Sequence, residues 1–376
     1  SNPVTFTVLN PVPELAGINP DKVVAGSPEL TMTLTGNNFV KTSEIIFNNE
    51  QVPMQFRDSN HIDAIIPTTA IAKPGIYPVK NVSPAPGGGE TTPLNFTVIP
   101  PLEITITSPS DGATLSGAKT MTKGTFKSDT RDIGITVNGV TANIAGNEWI
   151  VNNVPLTPGT NIITATIKDS QDSAESASII INTESVAQPV TLSANITSGI
   201  SPLTTYFSVS TEISNPIVSY QMDFEGDGVI DYVSTVFNDI NSTFSTEGIY
   251  YPTITITDDQ GNINSDTIAI VVLSKEELDA LLKGKWHGMK EALIDKNVEK
   301  AMNCFLSSSR ERYRYIFNSL LDSLPDIVAG MQEIEMISGE DKVAEYRIKR
   351  VEDEGDITYY IYFMLDGDGL WKIRQF

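Results

Sequence analysis

Residues 11–273 are built of short runs in which apolar and polar side chains alternate, as in Leu30-Thr-Met-Thr-Leu34, Ile133-Gly-Ile-Thr-Val137 and Ile254-Thr-Ile-Thr257. Each run is closed by Gly, Pro, Asn or Asp. A two-residue period turns one face of a strand toward a core and the other toward water, so this stretch can fold only by packing sheets face to face. The pattern changes at Ser274-Lys-Glu-Glu277, which reads as a helix capping box, the serine oxygen receiving the third helical N–H and Glu277 reaching back.

Several small cores are expected in a chain of 376 residues. They must hold together without disulfides, because Cys304 is the only cysteine. The formal net charge of −22 argues against nucleic acid and anionic membrane as partners, and no apolar run is long enough to cross a bilayer. That charge is uneven. Residues 184–273 carry 11 acidic and no basic side chains, so a cation is the simplest partner for that segment.

Pro3-Val-Thr-Phe-Thr-Val-Leu9 repeats as Pro93-Leu-Asn-Phe-Thr-Val-Ile99, a spacing typical of sandwich domains. Residues 1–10 are therefore expected to be the last strand of a preceding repeat in a longer chain. Val24-Ala-Gly-Ser-Pro28, Leu34-Thr-Gly-Asn-Asn-Phe39, Ile65-Ile-Pro67, Gly75-Ile-Tyr-Pro-Val79 and Pro86-Gly-Gly-Gly89 make residues 11–100 resemble the IPT/TIG immunoglobulin-like family. Residues 101–183 resemble bacterial immunoglobulin-like domains through Ile106-Thr-Ser-Pro109, Val137-Asn-Gly139, Glu148-Trp149 and Gly159-Thr-Asn-Ile-Ile163. In that segment Asn138-Gly139 predicts a type I′ hairpin. Trp149 is a candidate sugar platform or a core residue, and the area it buries favours the core.

Residues 184–273 resemble the polycystic-kidney-disease (PKD) repeat through Ser201-Pro-Leu-Thr-Thr-Tyr-Phe207, Tyr220-Gln-Met-Asp-Phe-Glu-Gly-Asp-Gly228 and Thr243-Phe-Ser-Thr-Glu-Gly-Ile-Tyr250, with Met222 where that family carries tryptophan. Within it, Asp223, Glu225, Asp227 and Asp231 occupy the first, third, fifth and ninth places of an EF-hand-type loop, and Gly228 the sixth. Ser234 stands at the twelfth, so the closing bidentate carboxylate is missing. Two readings stand: a calcium loop completed by carbonyls, water and a second loop, with Asp258 or Asp259 in reach, or a Gly-Asp-Gly hairpin. Relatives of the PKD type that bind calcium imply the same ligands.

From residue 274 onward, Leu278, Leu281, Leu282, Met289 and Leu293 recur at helical spacing, with Lys283, Lys285 and Lys290 expected on the other face. Two further helices are predicted around Val298–Phe305 and Tyr313–Leu321, the last interrupted by Pro325. Four strands follow, at 332–337, 342–351, 357–365 and 370–376, turning at Glu352-Asp-Glu-Gly355 and Asp366-Gly-Asp-Gly369. Helices followed by a sheet ending in Gly369-Leu-Trp-Lys-Ile373 resemble the cystatin-like cone of the nuclear-transport-factor and ketosteroid-isomerase superfamily. That resemblance implies an internal pocket, for which His287, Tyr313, Tyr315 and Glu345 are the candidate ligand residues. None forms a catalytic constellation: His287 reads as a surface residue, the tyrosines as core and Cys304 as a small buried hydrophobe.

The expected fold class is mainly β and multi-domain: three Ig-like β-sandwiches in series (11–100, 101–183, 184–273) plus a C-terminal α+β cystatin-like domain (274–376). The expected function is a non-catalytic bacterial extracellular or cell-surface stalk, stiffened by calcium, presenting its last domain to a protein or glycan. The alternative is a set of accessory carbohydrate-binding modules of a secreted enzyme.

Overall fold

The computed structural model describes residues 7–171, 173–185, 187–352 and 355–376. The expected repeat at Pro3–Leu9 falls largely outside them, as do residues 353 and 354 of the predicted turn. The chain forms two units, residues 1–101 and residues 102–376.

In the first unit, the strands Glu14–Asn19, Leu30–Asn37, His61–Ile66 and Met54–Asp58 form one sheet in that order. A second sheet runs Lys22–Val24, Leu94–Ile99, Gly75–Ser83, Glu44–Phe47, Glu50–Val52. Their inward faces close on Met32, Leu34, Ile45, Phe47, Ile62 and Phe96, the positions that the two-residue period selects. His61 lies on the surface with its ring 3.0 Å from Asp58.

The second unit begins with another sandwich. Glu103–Ser108, Lys119–Lys127, Glu148–Pro155 and Asn143–Ala145 form one sheet; Thr114–Ser116, Ala174–Ser185, Gly159–Asp169, Ile133–Val137 and Val140–Thr141 form the other. Val137 and Val140 pair across the predicted hairpin, with φ of +47° at Asn138 and +83° at Gly139, as a type I′ turn requires. Trp149 lies fully buried at the centre of this sandwich.

A third set of strands follows, and part of it pairs with the C-terminal strands. Val190–Ala194, Leu203–Thr211 and Ile240–Phe244 form one sheet, and Tyr232–Ser234, Ile217–Asp223, Thr253–Asp258 and Ile263–Thr267 a second. The remaining strands of this segment join the C-terminal ones in a single seven-stranded sheet. Its order is Gly248–Tyr250, Ile270–Leu273, Ser198–Ile200, Glu335–Glu340, Val343–Glu352, Gly355–Leu365, Trp371–Gln375. The boundary expected at residues 273 and 274 thus lies inside a continuous layer.

The junction is held by Asp341. Its N–H donates to the Ser198 carbonyl at 2.6 Å, and its carboxylate accepts the N–H groups of Thr197 and Ser198 at 2.8 and 3.1 Å. Asn152 ties the preceding sandwich to the same body: its amide nitrogen donates to the Ala269 carbonyl at 2.9 Å and its amide oxygen accepts the Ala269 N–H at 2.7 Å. A side chain here supplies both bonds that a neighbouring strand would. Gly134 and Gly369 close another seam, since a Cβ on Gly134 would lie 2.3 Å from the Asp368 carbonyl oxygen. Within residues 102–376 the sandwiches and the C-terminal strands and helices thus pack into one compact unit.

The helices are α1 (Lys275–Ile294), α2 (Val298–Met302), α3 (Arg310–Ser319) and α4 (Leu324–Ala329). Ser274 accepts the Glu277 N–H at 3.3 Å, which completes one half of the predicted capping box. The other half is missing because the Glu277 carboxylate turns to Arg131, 2.8 Å away. Pro325 begins α4 rather than interrupting α3, a place where its missing N–H has no helical partner to lose.

Candidate functional site

The acidic stretch forms the tip of the hairpin between Ile217–Asp223 and Tyr232–Ser234, whose register pairs Met222 with Tyr232. No helix flanks it, and the loop is built from its own carboxylates. Asp223 is buried and accepts the N–H groups of Gly226 at 2.6 Å and Gly228 at 2.8 Å. Asp231 accepts the Phe224 N–H, and Asp227 the Val229 N–H, each at 2.8 Å. Gly226 sits at φ +78° with Tyr251 against it, where an added Cβ would stand 2.6 Å from the Tyr251 carbonyl oxygen. The glycine lets the chain turn while passing close beneath the link between Gly248–Tyr250 and Thr253–Asp258.

This fold brings carboxylate oxygens of Asp223, Glu225 and Asp231 within 4.8 Å of one another. Asp227 lies outside that group. Oxygens bound on opposite sides of one calcium ion at roughly 2.4 Å are about 4.8 Å apart, so the three residues fit the ion's dimensions and hard-oxygen preference. The electrostatics agree. Burial pushes the Glu225 carboxyl up, and the Asp231 charge raises it further, with Asp227 contributing a smaller push.

The second loop expected to complete the set lies elsewhere. Antiparallel register pairs Asp223 with Thr253 and Ile217 with Asp258, so Asp258 and its neighbour Asp259 stand at the far end of the same strand pair. Asp258 is engaged there: hydrogen bonds from the Asn215 and Asn262 side chains hold its carboxyl at about 2. It stabilises the turn into Ile263–Thr267.

The other nominated residues do not converge. Trp149 is fully buried and donates its indole N–H to the Thr125 carbonyl at 3.3 Å, leaving no face for a sugar ring. His287 is exposed on α1 and pairs with Glu333 at 2.7 Å. Tyr313 is core, stacked on Phe376, and exchanges hydrogen bonds with that residue's backbone. Tyr315, expected in the core, is 76% exposed because it lies on the outer face of α3. Glu345 accepts from the Tyr362 hydroxyl at 3.0 Å on the sheet. The interior of the C-terminal domain, where a cone would hold its pocket, is filled by Trp286, Phe305, Tyr313 and Phe317.

No protein-family model and no curated protein matches this chain. Similar solved structures are β-sandwich modules. Clostridium thermocellum CbhA fibronectin(III)-like modules align at 13% identity over 46% of this chain and 96% of theirs, with a TM-score of 0.19. The FN1–FN3 domains of chicken CNTN1 align at 11% over 70% and 100%, with a TM-score of 0.24. A structure from a 1.5-MDa bacterial ice-binding adhesin aligns at 14% over 71% and 98%, with a TM-score of 0.25. At these scores no ligand or activity carries over.

Sequence reasoning missed the seams. Lys285 is buried and pairs with Asp132 of the preceding sandwich at 2.5 Å, instead of facing solvent as expected. The signal was available: Lys285 lies seven residues after Leu278 and four before Met289, on the apolar stripe itself. Cys304 lines a cleft of about 430 Å³ along this seam, its thiol pushed up by burial and thus kept protonated and unreactive. A cleft of about 560 Å³ opens where the sandwich of residues 102–185, the third set of strands and α1 meet.

Proposed function

We propose that this chain is a non-catalytic bacterial extracellular or cell-surface module set, in which the sandwiches carry a C-terminal α+β domain that binds or assembles through its surface. The observation that carries this reading is the filled interior of the C-terminal domain, where aromatic side chains occupy the space a substrate would need. Fusion of that domain into a neighbouring sheet supports a scaffold that presents surfaces to a protein or glycan. Asp223, Glu225 and Asp231 are the calcium ligands in this reading, and the ion stiffens the hairpin tip by neutralising carboxylates that repel one another.

Thermal unfolding of the whole chain in calcium and in chelator tests the metal. At a hundredfold excess over its dissociation constant, the ion raises the midpoint of the 102–376 transition by roughly 5 °C. Glu225→Gln removes the rise, and an unchanged midpoint in the parent protein would retire the metal.

A pH dependence follows from the same group. Folded Glu225 keeps its proton to a higher pH than the unfolded chain does, so the folded state binds more protons just above the ordinary carboxylate range. In chelator its contribution therefore falls as pH rises through that window. Calcium displaces the proton and flattens the dependence. Midpoints collected across that window, with and without calcium, show whether the two curves diverge as pH rises.

A further inference from the structure

The 560 Å³ cleft is bordered by two strands that end their sheets. Asn143–Ala145 is the last strand of its sheet, paired only with Glu148–Pro155, and Gly248–Tyr250 is the last strand of the seven-stranded sheet, paired only with Ile270–Leu273. Residues 142–148 line the cleft without a gap, and so do residues 247–249. The cleft therefore lies beside both of these end strands, whose outer edges pair with no further strand among the described residues.

Its floor is apolar, formed by Phe126, Ile144, Leu278, Leu281 and Trp371. Its charged rim is one-sided. Asp129, Glu148 and Glu247 are exposed and carry no ion pair among the described residues, while the Arg131 charge is taken by Glu277 at 2.8 Å. An acidic rim, an apolar floor and unpaired strand edges match an extended segment that supplies main-chain hydrogen bonds, alternate apolar side chains and positive charge.

We infer that this cleft binds an extended, lysine- or arginine-bearing strand of a partner polypeptide by adding it to the free sheet edges. This goes beyond the surface role proposed above, since the chemistry of the cleft is the same with or without calcium and wherever the chain resides.

The test is fluorescence anisotropy of the full chain with a labelled peptide of alternating lysine and valine. Three controls accompany it: its glutamate–valine counterpart, a lysine–valine peptide interrupted by proline, and octylammonium as competitor. The expected result is saturable binding of the lysine–valine peptide alone. Binding weakens roughly fivefold in the double variant Glu148→Gln, Glu247→Gln, whose exposed positions leave the fold intact. Equal binding of the proline-interrupted peptide overturns strand addition, and equal binding of the glutamate peptide overturns the charge argument. Displacement of the peptide by octylammonium at equal concentration overturns the polypeptide as occupant. Unaltered affinity in the double variant overturns the location, and no binding at all overturns the inference.

Discussion

Truncation of Trp149 to alanine costs residues 102–376 about 3–5 kcal/mol, the range for deleting a large buried aromatic. Trp149 is fully buried, and its ring lies against Gly124, where an added Cβ would stand 2.5 Å from it. Gly124 itself offers no side chain that could swing inward to fill the space. Truncation also leaves the Thr125 carbonyl without the indole donor. Denaturant unfolding followed by tryptophan fluorescence and circular dichroism measures the loss. A change below about 1 kcal/mol, the level of an exposed residue, would contradict the buried placement and return Trp149 to the surface.

Asn152→Ala has the second large effect, through coupling rather than packing. The Asn152 amide satisfies both backbone groups of Ala269, a residue with no exposed surface. Removing it orphans a buried N–H and a buried C=O, at about 1–3 kcal/mol each. Two orphaned groups at the seam weaken the attachment of the 102–185 sandwich to the rest of its unit. Calorimetry of the parent protein is expected to show residues 102–376 melting in one transition, and that of the variant to show it split or broadened toward lower temperature. An unshifted single transition in the variant would mean that the seam depends on the Lys285–Asp132 pair and the facing glycines instead.

The strands were legible because a two-residue period is written locally, and Ile133–Val137 or Thr253–Asp258 can be read without knowing what they pack against. The Asn138-Gly139 hairpin and the serine cap of α1 were legible for the same reason, since each depends on residues within one turn of chain. The acidic loop was half legible. Its spacing announced the cluster, but whether Asp258 could join depended on the register of Ile217–Asp223 against Thr253–Asp258, a relation between distant segments. Lys285 was misread because a long cation on an apolar stripe looks like a solvated residue until its buried partner, Asp132, is known.

Composition and periodicity alone determined that this chain is mainly β, that it turns helical at Ser274, that it has no disulfide, and that its acidic charge gathers around Asp223–Asp231. Tertiary structure alone decided that residues 102–376 form one unit, that a single sheet crosses the expected boundary, and that a cleft opens between two free edges. The physical reason is range. Side-chain alternation, capping and turn chemistry act over a few residues, whereas the Asp341, Asn152 and Lys285 contacts join segments more than a hundred residues apart and exist only once their backbones have been placed.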